Sequence, residues 1–195
     1  MEEVKKKEKS IKKTILENLI YLIVLFGSVF LINTFVMLRT EVSGISMSPT
    51  LSDGENLIVD KLSYRFSDPK RFDVVVFKYL YQDNRYYIKR IIGLPGETVQ
   101  IEIVYNDDKE VVGNNIYIDG EILEENYGSE LMTNAKRAAQ SITLGENEYF
   151  VLGDNRNYSS DSRDSDVGNV NLSQIVGKTF IRIWPLNKFG VLEHQ

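Results

Sequence analysis

Gly44-Ile45-Ser46-Met47-Ser48-Pro49-Thr50-Leu51 is the stretch around which the 195-residue chain is organised, since it follows a long hydrophobic run and places a serine between apolar residues. A second stretch, Tyr86-Tyr87-Ile88-Lys89-Arg90-Ile91-Ile92-Gly93-Leu94-Pro95-Gly96-Glu97, sets a lysine in a β-prone segment. The sequence has no Cys and one His, His194. A hydrolytic serine here needs a base other than histidine, and a lysine amine is the known substitute. Ser46 and Lys89 are therefore our candidate nucleophile and base.

Each candidate also has a structural interpretation. A serine ahead of a Ser-Pro-Thr turn often hydrogen-bonds the backbone nearby. Lys89 shares one strand face with Tyr87 and Ile91, whereas Ile88, Arg90 and Ile92 occupy the other. Its stem could extend over that apolar face with the ammonium in water. If the ammonium were buried instead, desolvation would lower its pKa from ~10.4 towards neutrality and free the amine to accept a proton.

A third stretch completes the pattern: Gly153-Asp154-Asn155-Arg156-Asn157-Tyr158-Ser159-Ser160-Asp161-Ser162-Arg163. The three stretches, in this order, resemble the bacterial type I signal peptidase family in its short, Gram-positive-like form. The resemblance covers residues 15–190. It implies a membrane-bound serine endopeptidase that removes N-terminal signal peptides from exported preproteins with a Ser-Lys dyad. It implies no cofactor or metal, and substrates with small residues at the first and third positions before the cut.

The resemblance also assigns roles. Ser46 is the nucleophile and Lys89 the general base. Ser159 is expected to hydrogen-bond that base, with Ser160 the alternative if the register differs by one. Asp161 and Arg163 are expected to brace the site.

An acyl-transfer site also needs donors for the oxyanion. The backbone N–H of Ser46 is the first. Some relatives supply the second from a Ser two residues before the nucleophile; here that position is Gly44, with Ser43 one residue further away, so the second donor stays open. The apolar neighbours Ile45 and Met47 are expected to contact the substrate.

Two arginines have predicted structural roles, and Phe72 marks a departure from the resemblance. Arg90 cannot act as a base, because guanidinium stays protonated, and is expected to be structural or salt-bridged. Asp154 and Arg156 are expected to pair with each other. At Arg71-Phe72-Asp73 relatives commonly show Arg-Gly-Asp, and Phe72 is expected to alter a turn rather than the chemistry.

Residues 18–38 carry no charge and are mostly Leu, Ile, Val and Phe. As a helix with a rise of ~1.5 Å per residue they would span about 31 Å, enough to cross a bilayer. Six Lys precede this run, whereas Arg39 follows it, which predicts a cytoplasmic N-terminus. A cleaved signal is the alternative, but the run is long for one and no Ala occurs before Ala135.

The predicted architecture is mostly β: an antiparallel β-sheet catalytic domain tethered by one N-terminal transmembrane helix. It divides into a basic cytoplasmic tail (1–14), the transmembrane helix (15–38) and an extracytoplasmic domain (39–195) with a small β or irregular insert at about 105–145. Strands are predicted at 56–59, 73–79, 86–92, 98–105, 148–152 and 176–184. A turn is predicted at 83–85, and a hairpin at 116–123 with its tip at Asp119-Gly120.

The expected partners are preprotein signal peptides, the lipid bilayer and the secretion machinery. The net charge of −5 argues against nucleic acid. Two other functions fit parts of the pattern. A non-catalytic, membrane-tethered β domain would not need Ser46. A self-cleaving Ser-Lys regulator would carry a DNA-binding segment where this chain has an apolar run.

Overall fold

The computed structural model describes residues 2–81, 85–128 and 130–192, and the chain divides into two compact units, 1–38 and 39–195. The first unit is helix α1, Glu2–Leu31, followed by one π-helical turn, Ile32–Val36. Its segment Ile11–Val36 is long and apolar enough to cross a membrane. The apolar segment therefore overlaps the predicted anchor, although helical structure ends before Met37.

Beyond Val36 the chain is built from strands joined by loops and short 3₁₀ helices. The strands, in chain order, are β1 Met37–Glu41, β2 Asn56–Asp60, β3 Val74–Lys78, β4 Tyr86–Gly93, β5 Thr98–Tyr105, β6 Val111–Ile118, β7 Glu121–Ile122, β8 Ile142–Thr143, β9 Glu148–Leu152, β10 Val170–Asn171, β11 Ile175–Trp184 and β12 Gly190–Val191. The 3₁₀ helices are Ser63–Arg65, Lys136–Ala139, Leu172–Gln174 and Leu186–Lys188.

Two antiparallel sheets hold these strands. The first runs β1-β2-β11-β3-β4-β9-β10, with β12 on β11, and the second runs β7-β6-β5-β8. Their described strand pairs are antiparallel. The predicted fold class, mostly antiparallel β with one N-terminal apolar helix, is thus confirmed.

The six predicted strands are present, and the predicted hairpin at 116–123 is formed by the end of β6 and by β7. Asp119 and Gly120, at φ 52° and 85°, form the predicted hairpin tip between β6 and β7, because an Asp-Gly pair tolerates left-handed backbone at both positions. Of the predicted turn at 83–85, Asp83 and Asn84 lie outside the described residues. The second sheet spans 98–143 and so begins before the predicted insert.

Three buried clusters hold the second unit together. One joins the sheets, with Ile92 and Phe150 from the first against Val99 and Ile116 from the second. Another contains Val42, Met47, Leu51, Leu57, Val74 and Leu192. Met47 and Leu51 flank the Ser-Pro-Thr turn, so their burial fixes the segment that carries Ser46 to the body of the sheet.

Candidate active site

Ser46 lies in a turn held at several backbone positions. Its carbonyl oxygen accepts the backbone N–H of Asn155 at 3.0 Å. The carbonyl of Ile45 accepts from Ser48 N at 3.0 Å and from the Asn155 side chain at 3.2 Å. Met47, 2% exposed, is buried immediately after the serine. The turn is therefore fixed on one side by the core and on the other by the 153–163 loop.

Gly44 has a backbone conformation that explains its identity. Its φ of +91° is strained for any residue with a Cβ. Its N–H donates to Asp53 Oδ1 at 2.6 Å, so neither a hydroxyl nor this amide is available to an oxyanion. The backbone N–H of Ser46, by contrast, has no acceptor in the described part of the chain. The contact with Asp53 was not predicted from the sequence. The one hint of an unusual backbone at this point was the glycine itself, two residues before Ser46.

Lys89 lies on strand β4, and it is almost completely buried, with 3% of the residue exposed. Its Nζ lies 2.8 Å from Ser46 Oγ and 3.0 Å from the carbonyl oxygen of Ile88. The ring centroid of Tyr87 is 5.2 Å from the same nitrogen. The structure therefore brings together the two residues that the sequence singled out, although 43 positions separate them.

Burial changes the acidity of Lys89. Desolvation lowers the pKa of the ammonium to about 8, while the negative charges of Asp161 and Asp154 act in the opposite direction. An appreciable fraction of the amine is then neutral near physiological pH. A neutral amine at hydrogen-bond distance from a hydroxyl can accept its proton.

Asp161 and Arg163 form a buried bidentate ion pair, with Nε–Oδ1 and Nη2–Oδ2 distances of 2.8 and 2.9 Å. Burial alone would raise the pKa of Asp161, but the hydrogen bonds and charge of Arg163 hold it below its ordinary value. Asp161 Oδ2 also accepts Gly153 N–H at 3.1 Å, and Arg163 Nη2 donates to the carbonyl of Arg156 at 2.5 Å. The pair thus fastens both ends of the loop that holds Ser46.

Ser159 is 8% exposed and lies against Gly153. Its Oγ forms no hydrogen bond of normal geometry with a described residue, although it is near enough to the Asp161 carboxylate to help lower that pKa. Lys89 Nζ donates to Ser46 and Ile88 rather than to Ser159. Ser160 is exposed and lines the cleft.

The predicted pairing of Asp154 with Arg156 is wrong. Asp154 forms a fully buried bidentate pair with Arg90, at 2.9 and 2.7 Å, and also accepts Thr50 Oγ1 at 2.6 Å. Arg156 pairs with Glu125. The reason is that the turn at 154–156 sends the two side chains in different directions. The prediction that Arg90 is salt-bridged is confirmed.

Phe72, which departs from the Arg-Gly-Asp pattern of the resemblance, occupies a left-handed backbone conformation with φ 69°. Its ring centroid lies 5.2 Å from that of Tyr127, whose ring in turn covers the Arg90 guanidinium at 3.4 Å. The packing of the Phe72 ring on Tyr127 thus occurs at a residue whose backbone is strained. The Tyr127 contact was not identified from the sequence, because Tyr127 lies in a stretch without periodicity.

A cleft of about 300 Å³ opens beside Ser46 and Lys89. One wall is the segment 40–47, which ends in the Ser46 turn, and the other is Arg85 with the first half of β4, residues 86–89. Tyr158 and Ser160 lie at the edge. Residues 86–89 pair with β3 on one side only, because β9 joins β4 from Arg90 onwards. Ile45 is 55% exposed at the cleft, whereas Met47 contributes to its wall from the core. An extended peptide fits between two such walls.

The sequence model of the family described as Signal peptidase, peptidase S26, matches residues 14–184. This chain belongs to that family. Signal peptidase I of Leptolyngbya laminosa is 39% identical over 168 residues, which cover 83% of this chain and 75% of the relative. Signal peptidase IB of Staphylococcus aureus (strain COL) is 34% identical over 185 residues, or 91% and 94% of the two chains.

A crystal structure of a signal peptidase I from Enterococcus faecalis V583 shows 36% identity, with a TM-score of 0.43, and covers 57% of this chain and 97% of that one. Membership of the signal peptidase family makes the chain a serine protease that removes signal peptides from preproteins. Its N-terminal apolar helix is consistent with a membrane-anchored signal peptidase.

Proposed function

We propose that Ser46 and Lys89 are the catalytic dyad of this signal peptidase. The observation that carries the proposal is the 2.8 Å distance between Lys89 Nζ and Ser46 Oγ, combined with burial that lowers the pKa of the lysine to about 8. Histidine, the usual base, occurs once, at position 194. Among described residues no group of three or more His, Cys, Asp and Glu could hold a metal ion.

The reaction proceeds through an acyl-enzyme. Ser46 Oγ attacks the scissile carbonyl carbon as its proton passes to Lys89 Nζ. The C–N bond then breaks, and the Lys89 ammonium protonates the departing amine. Water attacks the acyl-enzyme, giving its proton to Lys89, and the released Ser46 oxygen takes that proton back. The free backbone N–H of Ser46 stabilises the oxyanion in both halves of the reaction.

Ser159, Asp161 and Arg163 support the dyad. The Asp161–Arg163 pair holds the loop that fixes the Ser46 carbonyl. A buried hydroxyl without a hydrogen-bond partner destabilises the fold by about 1–3 kcal/mol, and the Ser159 hydroxyl is such a group. We propose that it accepts a hydrogen bond from the Lys89 ammonium. That ammonium has three N–H donors and uses two of them, towards Ser46 and Ile88.

The substrate binds as an extended strand along the unpaired edge of residues 86–89. Ile45 contacts it directly, and Met47 shapes the wall behind. Preprotein signal peptides are the substrates, and the remaining proposed partners are the bilayer and the secretion machinery. We propose the matching domain plan: a cytoplasmic tail (1–14), an anchor (15–38) and an extracytoplasmic catalytic unit (39–195).

The test uses full-length protein in detergent micelles with one preprotein, comparing wild type, Ser46→Ala, Lys89→Arg and Ser67→Ala. Arg keeps the charge and most of the stem but cannot be deprotonated. Ser46→Ala and Lys89→Arg should each lose at least ~10²-fold in turnover, whereas Ser67→Ala, which removes an exposed hydroxyl outside the cleft, should retain activity. Near-normal turnover by Lys89→Arg would exclude the dyad.

Orientation has a separate test. Protease added outside intact cells should degrade residues beyond Arg39 and spare the lysine-rich segment Lys5–Lys13. The reverse pattern would contradict the proposed topology without affecting the dyad.

A further inference from the structure

A second cleft, of about 810 Å³, lies on the second sheet and shares no lining residue with the cleft at Ser46. One wall is strand β5, which presents Gln100, Glu102 and Tyr105. The opposite wall is the segment 133–141, which includes the 3₁₀ helix Lys136–Ala139. We call this cleft the β5 groove.

Strand β5 has an open edge in this groove. It pairs with β6 along its whole length, but β8 pairs with it only at Thr98 and Val99. The N–H of Asp119 donates to the carbonyl of Thr98, so even-numbered residues of β5 direct their backbone groups towards β6. The backbone N–H and C=O groups of Ile101 and Ile103 therefore point into the groove. An edge of this kind is a template for one more strand.

The opposite wall is fixed to the body of the molecule. Lys136 Nζ lies 2.7 Å from Asp164 Oδ1, and Arg137 Nε donates to the carbonyl of Ser162 at 2.8 Å. Arg163 Nη1 donates to the carbonyl of Asn134 at 3.2 Å. Because these bonds hold the wall in place, a ligand does not need to order it, and the entropic cost of binding is lower.

The negative charge around the β5 groove favours a cationic ligand. Residues 98–143 contain nine acidic and three basic residues, a net charge of −6, out of −7 for the whole segment 39–195. Inside the groove, the charge of Lys136 is matched by Asp164. Among the described lining residues this leaves Glu102, which accepts the Tyr117 hydroxyl at 2.7 Å but has no cationic partner, as the charge facing a ligand. A second copy of this chain would bring another sheet of net charge −6, and the two would repel.

We propose that the β5 groove binds an extended, lysine-rich segment of a partner polypeptide, which adds to β5 as an antiparallel strand and places a cation against Glu102. The groove shares no lining residue with the cleft at Ser46, so this partner and the signal peptide occupy separate sites. Its length, about five residues of β5, suits a short strand of roughly 17 Å.

The test measures binding of a fluorescent peptide in which Lys and Thr alternate to full-length Ser46→Ala protein in zwitterionic detergent micelles. The Ser46→Ala background prevents cleavage of the probe. A second peptide of the same sequence is N-methylated at alternate residues, so that it cannot donate to a strand edge. A third alternates Glu and Thr. Glu102→Gln removes the charge in the groove, and Glu121→Gln removes one from β7, outside it.

The Lys-Thr peptide should bind with an affinity that falls as salt rises. N-methylation should weaken binding by roughly tenfold or more. Glu102→Gln should weaken it several-fold and Glu121→Gln little. Equal binding of the N-methylated peptide, equal effects of the two Gln variants, or equal binding of the Glu-Thr peptide would each overturn the proposal. So would self-association of the protein that the peptide does not disrupt.

Discussion

The backbone N–H of Asn155 donates to the carbonyl oxygen of Ser46 at 3.0 Å. This bond joins two loops that are more than a hundred residues apart in sequence, and the adjoining Gly153 makes the close approach possible. A Cβ at position 153 would overlap both the Ser46 carbonyl oxygen and Ser159 Oγ. The position of Ser46, the proposed nucleophile, therefore depends on residue 153 being a glycine.

Gly153→Ala should consequently displace the Ser46 turn. We expect the rate to fall by roughly 10²-fold, since an error of about 1 Å in the position of a reacting group has that effect. Gly113→Ala is the matched control, because a Cβ there meets Val104 at an ordinary 3.6 Å. Initial rates on a preprotein compare the two. Normal activity of Gly153→Ala would mean that the two loops can separate without consequence.

The rate should follow the ionisation of Lys89. Only the neutral amine accepts the Ser46 proton, and the pKa is about 8. kcat/KM should therefore fall about tenfold per pH unit below pH 8 and level off above it. A short peptide substrate without ionisable groups isolates the enzyme's own titration. A rate that is constant across this range would contradict a lysine base.

Lys89→Met should inactivate the protein yet stabilise it. The folded-state pKa lies below the ordinary 10.5, so the unfolded chain binds more protons between about pH 8 and 10.5, and wild-type stability rises with pH in that window. Below pH 8 the full burial penalty is present, about 3 kcal/mol. The advantage of Met should thus be largest near pH 7 and shrink towards pH 10.5.

Thermal unfolding of the full-length protein at both pH values measures this difference. Lys70→Met, at an exposed lysine, is the control and should change stability little at either pH. A stability gain from Lys89→Met that does not depend on pH would indicate improved packing rather than relief of a buried charge.

Ser159→Ala tests the assignment of the unpaired hydroxyl. A hydrogen bond to a charged group is worth about 1.5–3 kcal/mol, so turnover should fall by ~10–100-fold, with KM and thermal stability nearly unchanged. Ser160→Ala, at the exposed neighbour, should remain close to wild type. If Ser160→Ala is the damaging change, the register of the supporting serine differs by one residue.

The sequence predicted the strands well because most are short apolar runs bounded by turn residues. The strands it missed are β1 at the end of the apolar run and the two-residue β8, β10 and β12. These form where the chain passes an existing edge, so long-range pairing rather than local propensity determines them. The second sheet was recognised only in part for the same reason.

The site was predictable to the extent that its residues lie in short motifs. Ser46 and Lys89 came from such motifs, and the structure brings their side chains together. The partner of Asp154 could not be predicted from proximity in sequence. A buried carboxylate pairs with a cation that the fold places next to it, and here that cation is Arg90 of β4. Asp53 was missed because it depends on the backbone conformation of Gly44, which local sequence does not reveal.

Strand β4 carries Lys89 and Arg90 side by side, one reaching Ser46 and the other reaching Asp154 through the opposite face. Opposite them on β3 stand Val75 and Val74. A shift of one residue in this pairing would move every side chain of β4 to the other face of the sheet. The Arg90 guanidinium, which is always charged, would then lie beside Ser46, and the Lys89 amine would be buried without a partner. A hairpin with this register would therefore be unstable and catalytically inactive. The proposed dyad therefore forms only after the strands have aligned, so a half-folded chain cannot cleave neighbouring polypeptides.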